Sequence, residues 1–297
     1  MSTVRKAVIP AAGWGTRFLP FTKSVPKEML PIVDKPAIQY VVEEAIRCGI
    51  DDILIITSPY KKAIEDHFDR SVELEHLLDE KDKDRELRQV RELADLADIH
   101  FIRQGEALGL GHAIGIARRH VGREPFAVLL GDDLMHPSSK VLQGMIDTYE
   151  DRGAASVALM QVPHAEIGSY GCARVEPSDD LPDPLVRVSG LVEKPPPAEA
   201  PSDLAVIGRY VFGPEIFDHI AATEAGHGGE IQLTDAMLAM MAEREVLGWV
   251  FQGGRYDVGS KPDYLRTVIE LGLEREDLRA DLMAVLRAVV EREGMCP

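Results

Sequence analysis

The 297-residue chain is 45% hydrophobic and 28% charged, a balance that supports a sizeable core in one large α/β domain or two small ones. Its 33 basic and 50 acidic residues leave a net charge of −17, which repels polymeric nucleic acid and anionic membranes, so a phosphate ligand must be drawn in by local cations. No stretch approaches the roughly 20 apolar residues of a membrane span, and three unpatterned cysteines, Cys48, Cys172 and Cys296, suit a reducing, cytoplasmic setting.

Residues 5–10 read as a strand that empties into Ala11-Ala12-Gly13-Trp14-Gly15-Thr16-Arg17-Phe18-Leu19-Pro20. Small residues let backbone approach a ligand closely, and Arg17 with Lys27 supplies cations for a polyphosphate. Phe18 stands where a dinucleotide fingerprint needs its third glycine, and no Walker-type run occurs. Pro36 opens a helix whose apolar stripe is Ile38, Val41, Val42, Ala45 and Ile46, closed by Gly49. The apolar run at 52–57 reads as a buried parallel strand, and 59–97 as helical hairpins with solvated faces.

Strands are then expected at 99–104, 125–130 and 156–162, with helices at 111–120 and 138–149 between them. This rhythm predicts an α/β fold: a Rossmann-like, doubly wound, mostly parallel sheet. Shorter strands at 172–175, 185–194 and 204–212, joined by a proline-rich link at 195–201, read as an antiparallel insertion over the sheet's ligand-binding edge. A helix at 230–243, a strand at 247–252 and helices at 262–271 and 275–291 complete the chain. The last helix carries an apolar stripe through Leu278, Leu282, Val285, Leu286 and Val289.

In an open parallel sheet, ligands bind beyond the carboxyl ends of the strands. Asp132 and Asp257 stand after strands and are candidates for one Mg²⁺, which needs only one or two carboxylates plus phosphate oxygens. Asp133 reads as a turn former or helix cap, although spacing alone does not choose between it and Asp132. The Gln104 amide offers the donor and acceptor that a base edge requires. Glu193 and Lys194 suit sugar hydroxyls and a phosphate, but strand alternation points them apart unless the chain bends before Pro195. His112 reads as packing or capping, and no nucleophile set for covalent catalysis declares itself.

These motifs resemble the sugar-nucleotidyltransferase family, in particular its bacterial UTP–glucose-1-phosphate uridylyltransferase branch. The resemblance rests on the opening loop, Pro26-Lys27-Glu28-Met29-Leu30-Pro31, Gly109-Leu110-Gly111-His112-Ala113, Gly131-Asp132-Asp133, Val192-Glu193-Lys194-Pro195, Glu230-Ile231-Gln232-Leu233-Thr234-Asp235-Ala236 and Tyr256-Asp257-Val258-Gly259. It implies that Ala12, Gly13, Gly109 and Gln104 read uracil, with Ala11, Gly15 and Thr16 completing the nucleotide loop. It further implies Arg17 and Lys27 on the triphosphate, Mg²⁺ on Asp132 and Asp257, and Lys194 with the catalytic cations. Tyr170, Gly171, Glu193, Lys194, Val206 and Gly208 would surround glucose 1-phosphate.

The implied reaction is uridylyl transfer from UTP to glucose 1-phosphate by in-line attack. Catalysis would occupy residues 1–258, with the sugar part at about 163–228. Helical residues 259–297 would serve a homo-oligomer, a dimer or tetramer. The chain departs from the family pattern at Trp14, Phe21 and Ser260-Lys261-Pro262-Asp263. Two alternatives stay open: the same chemistry on dTTP or another hexose 1-phosphate, and a nucleotide-sugar-binding regulator without catalysis.

Overall fold

A strand flanked on both sides by apolar residues belongs at the centre of a sheet covered on both faces. The computed structural model describes residues 3–176, 178 and 180–294, and it places the N-terminal run there as β1 (Lys6–Pro10). A small hairpin, β2 (Pro31–Ile32) and β3 (Lys35–Pro36), leads into α1 (Ala37–Arg47). Next come β4 (Asp52–Thr57), α2 (Lys62–Phe68), α3 (Val72–Glu80), α4 (Asp84–Ala94) and β5 (Asp98–Arg103). The chain continues through α5 (Leu110–Ile116), α6 (Arg118–Val121), β6 (Phe126–Leu129), β7 (Asp133–Met135), α7 (Val141–Arg152) and β8 (Ala155–Gln161). Then follow β9 (Gly171–Glu176), β10 (Leu185–Glu193), β11 (Leu204–Phe212), α8 (Ile216–Ala222) and α9 (Leu233–Met240). The last elements are β12 (Val246–Phe251), β13 (Arg255–Asp257), α10 (Lys261–Glu274) and α11 (Glu276–Arg292).

Nine strands form one mixed sheet in the order β5-β4-β1-β6-β11-β8-β12-β10-β9. The β5-β4-β1-β6 half is parallel, and β12 runs parallel to β8. Strand β11 is antiparallel to β6 and β8, and β10 to β12 and β9. The antiparallel strands expected as a layer over the ligand edge are therefore part of the main sheet, with β11 in its middle. The reason lies in β11 itself, which is buried from Ala205 to Phe212 and so needs covering on both faces.

Side-chain alternation along each strand splits the core into two layers. Ile9, Ile53 and Ile55 pack with α1 and α7 residues such as Val41 and Met145 on one face. Val8, Leu54 and Ile56 pack with Ile114, Phe217 and Met237 of α5, α8 and α9 on the other.

Two expected helices differ in extent. Residues 111–120 divide at Ala117 into α5 and α6. The segment expected to be helical from 230 turns helical only at Leu233. Before it, the Ile231 N–H donates to the Leu108 carbonyl (2.8 Å), and the Gly111 N–H donates to the Ile231 carbonyl (2.9 Å). Those backbone groups are committed to another segment, so the helix cannot begin earlier.

Helix α10 docks on the body through the Tyr264 hydroxyl, which donates to the Pro31 carbonyl (3.0 Å), and through an edge contact with Phe18. Helix α11 lies on α10 and buries no side chain of its own. No described helix is long and apolar enough to cross a membrane.

Candidate active site

The two candidate metal ligands are more than a hundred residues apart in sequence, and a two-strand ladder unites them. Strands β7 and β13 pair antiparallel, with Asp257 opposite Asp133. The Val258 N–H then donates to the Asp132 carbonyl at 3.1 Å. A Cβ on Gly259 would stand 2.9 Å from Asp132 Oδ2, 2.9 Å from Asp257 Oδ1 and 3.3 Å from Arg17 Nη2. Both carboxylates and the guanidinium thus converge on a point that glycine alone leaves open.

The side chain of Lys27 is ion-paired with Asp132. Burial pushes the Asp132 carboxyl up, but Lys27 and Arg17 more than offset this and hold it below the usual carboxylate range. Burial likewise works against the Lys27 ammonium, and Asp132 and Glu28 keep it charged. Asp257 is shifted upward, first by burial and then by Asp133 and Asp132, against the pull of Arg255. Two carboxylates facing one gap, one of them firmly ionised, are a donor set that fits a hard divalent cation completed by phosphate oxygens. The departure at 260–263 preserves this arrangement, because Asp263 accepts the Asp257 N–H at 3.3 Å.

Two cavities open on either side of this point. One, of about 360 Å³, is lined by Ala12, Gly13, Trp14, Lys27, Gln104 and Gly109. The other, of about 310 Å³, is lined by Arg17, Tyr170, Gly171, Glu193, Lys194, Val206 and Gly208. Asp132 lines both. The exposed Trp14 ring leans on Tyr60, with centroids 5.7 Å apart, at the mouth of the first cavity.

Three loop residues lie outside both linings. Ala11 is buried and its N–H is committed to the Ile56 carbonyl at 2.8 Å, so it extends the sheet and faces no ligand space. Gly15 and Thr16 line neither cavity. Gly15 turns the loop at φ 65°, with its carbonyl held by the Thr22 hydroxyl at 2.8 Å.

The bend that Glu193 and Lys194 require is present, because Lys194 adopts φ 44° and both side chains reach the second cavity. A non-glycine residue in that region carries strain, of the kind that concentrates at functional sites. The Thr234 hydroxyl donates to Glu193 Oε2 at 3.0 Å, which aims the carboxylate into the cavity.

Other contributors were not evident from sequence. Asp133 does close the turn after Leu130 with its N–H (3.3 Å), and beyond that its carboxylate accepts the Gly208 N–H (3.1 Å) and pairs with Arg255 (2.8 Å). Arg255 in turn lies over the Tyr170 ring, 5.3 Å from its centroid, and donates to the Tyr170 hydroxyl at 3.3 Å. Beneath them the fully buried Arg209 pairs bidentately with Glu44 (3.0 and 2.7 Å) and donates to the Asp133 carbonyl. The Arg255/Asp257 spacing of two in a strand, which puts both on one face, is the signal that could have found Arg255. No local pattern announces partners 122 or 165 residues away.

The arrangement joins a largely apolar compartment and a polar one at a cation-rich, carboxylate-bearing seam, which suits holding two anionic substrates together. The nucleotidyl transferase family model matches residues 6–271. A UTP–glucose-1-phosphate uridylyltransferase of Bacillus subtilis (strain 168) is 48% identical over 99% of both chains. The UTP-bound UGPase from Acinetobacter baumannii aligns at 39% identity and a TM-score of 0.88, covering 96% of this chain and 99% of that one. A UDP-glucose pyrophosphorylase complexed with UDP-glucose aligns at 39% identity and a TM-score of 0.83, covering 92% of this chain and 100% of that one.

Proposed function

The chain belongs to the nucleotidyl transferase family and, within it, to the bacterial UTP–glucose-1-phosphate uridylyltransferases; from that membership we propose that it transfers the uridylyl group of UTP to α-D-glucose 1-phosphate, giving UDP-glucose and pyrophosphate. The observation that carries this reading is the pair of cavities meeting at Asp132. UTP occupies the first, its base beside Gln104 and Gly109, its phosphates reaching Lys27 and Arg17. Glucose 1-phosphate occupies the second, its hydroxyls facing Glu193 and its phosphate facing Lys194.

In the reaction a sugar-phosphate oxygen attacks the α-phosphorus of UTP in line, and the bond to pyrophosphate breaks. No general base is required, because the nucleophile is already an anion at neutral pH. The difficulty is bringing two polyanions into contact, and Lys27, Arg17 and Lys194 meet it by fixed positive charge and positioning. Asp132 and Asp257 would hold Mg²⁺, which when bound neutralises phosphate charge.

Supporting parts complete the reading. The free thiols of Cys48 and Cys172 suit a cytoplasmic enzyme, and Val285, Val289 and Val290, exposed on α11, suit a homo-oligomer built through the segment 259–297. Residues 1–258 form the catalytic part. The test is pyrophosphate release, with and without Mg²⁺, across UTP, dTTP and CTP and several hexose 1-phosphates. Release should be greatest with UTP and glucose 1-phosphate and depend on the metal. Binding of UDP-glucose without pyrophosphate release from any pair would overturn the assignment.

A further inference from the structure

The contacts of the Gln104 amide favour one polarity. Its Nε2 stands 3.4 Å from the Gly109 carbonyl oxygen and 2.9 Å from His112 Nδ1. A carbonyl oxygen only accepts, so this long contact favours the NH₂ group on that side without fixing it. The same nitrogen then donates its other hydrogen to His112 Nδ1, which requires an imidazole carrying its proton on Nε2. Both amide hydrogens are thereby committed, and no described residue donates to Oε1. Gln104 lines the first cavity, so what it offers a ligand there is an acceptor alone.

We infer that His112 is a positioning residue for base specificity: by accepting from the Gln104 amide it locks Oε1 toward the nucleobase. The inference rests on the reading that the base of the nucleotide enters beside Gln104. An acceptor complements the imide N3–H of uracil or thymine and opposes the bare N3 of cytosine. The imidazole is well placed to hold this setting. It sits in the first turn of α5, and that turn is fastened by the Gly111 N–H donating to the Ile231 carbonyl at 2.9 Å. Without His112 the amide keeps only the longer contact to Gly109 and can turn over, presenting its NH₂ to the base.

The experiment compares kcat/KM for UTP, dTTP and CTP in the wild-type chain, His112→Ala and His112→Asn, with thermal unfolding checked for each. Replacement by alanine should lower the preference for UTP over CTP about tenfold, the size of one hydrogen bond. The change should fall mainly on KM for UTP, and the ratio of UTP to dTTP should stay constant. Asparagine, whose side-chain oxygen can replace Nδ1 as acceptor, should recover the preference. A packing role would alter UTP and CTP alike, so an unchanged UTP/CTP ratio in His112→Ala overturns the inference. So does a wild-type chain that uses UTP without preferring it to CTP. A wild-type chain that releases pyrophosphate with no nucleotide instead overturns the functional reading. Independently of turnover, ¹⁵N NMR should show His112 unprotonated at Nδ1, and a proton there would contradict the lock.

Discussion

Asp132 is the residue on which the site turns, because it faces both cavities while paired with Lys27. Asp132→Asn keeps the volume and removes the charge. It should lower kcat by roughly 10²- to 10³-fold, the range for losing one preorganised electrostatic contact, and leave Lys27 without its ion-pair partner at a cost of about 1–3 kcal/mol. Steady-state rates together with urea unfolding check both halves. Alanine would be the poorer choice, since it adds a void to the lost pairing. The identity of this residue was half legible in the sequence. Gly131-Asp132-Asp133 marked a strand end, but neighbouring aspartates are told apart only by the β7–β13 ladder. That ladder is three residues long, too short to show any periodicity.

At the scale of elements, the strap formed by Glu230–Gln232 ties the base-facing loop to the sugar-facing start of α9. Gly109 makes this possible at φ 100°, where a Cβ would fall 2.7 Å from the Glu230 side chain and 2.9 Å from the Ile231 carbonyl. Gly109→Ala should therefore raise KM for both substrates and destabilise the fold by about 1–3 kcal/mol, checked by kinetics and denaturant unfolding. The helical pattern at 230–243 concealed the strap, because the Ile231 backbone bonds go to residues 108 and 111 and the Glu230 carbonyl accepts from Gly226, so a helical turn closes only from Gln232 onward.

A second prediction concerns α3 and α4, which Glu75 joins by accepting from Arg70 and Arg91. Those bonds hold the Glu75 carboxyl down at about 2, against 4.5 ordinarily. A carboxylate lowered in the folded state stabilises it above the unfolded value and loses that contribution as pH falls through the folded one. The protection of amides in α3 and α4, measured relative to exchange of the unfolded chain at each pH, should thus fall as pH drops from 4.5 toward about 2, and Glu75→Gln should remove the dependence.

For the whole molecule, the parallel half of the sheet was readable because alternating βα units with continuous apolar strands specify little else. The place of β11 was not, since a strand buried on both faces looks the same whether its neighbours run parallel or antiparallel. The sugar side of the site belongs to that antiparallel half, so its geometry came from structure, while Glu193 and Lys194 were read from residue type and Tyr170, Gly171, Val206 and Gly208 from resemblance. Assembly is also a property at this scale. Helix α11 half-buries Leu278, Leu282 and Leu286 within one chain, whereas Val285, Val289 and Val290 stay exposed. If the proposed homo-oligomer forms through α11, Val289→Asp should lower the molecular mass measured by light scattering to that of a monomer, and an unchanged mass would remove α11 from the interface.

On the proposed function, transfer is direct between two substrates held at once across Asp132, with no enzyme-bound intermediate. The stereochemistry at the α-phosphorus tests it most directly. With UTP thio-substituted in one configuration at that phosphorus, and glucose 1-phosphate as acceptor, the product should carry the inverted configuration, as a single in-line displacement requires. Retention of configuration would contradict the account, because it demands two displacements and a covalent step for which the site provides no nucleophile.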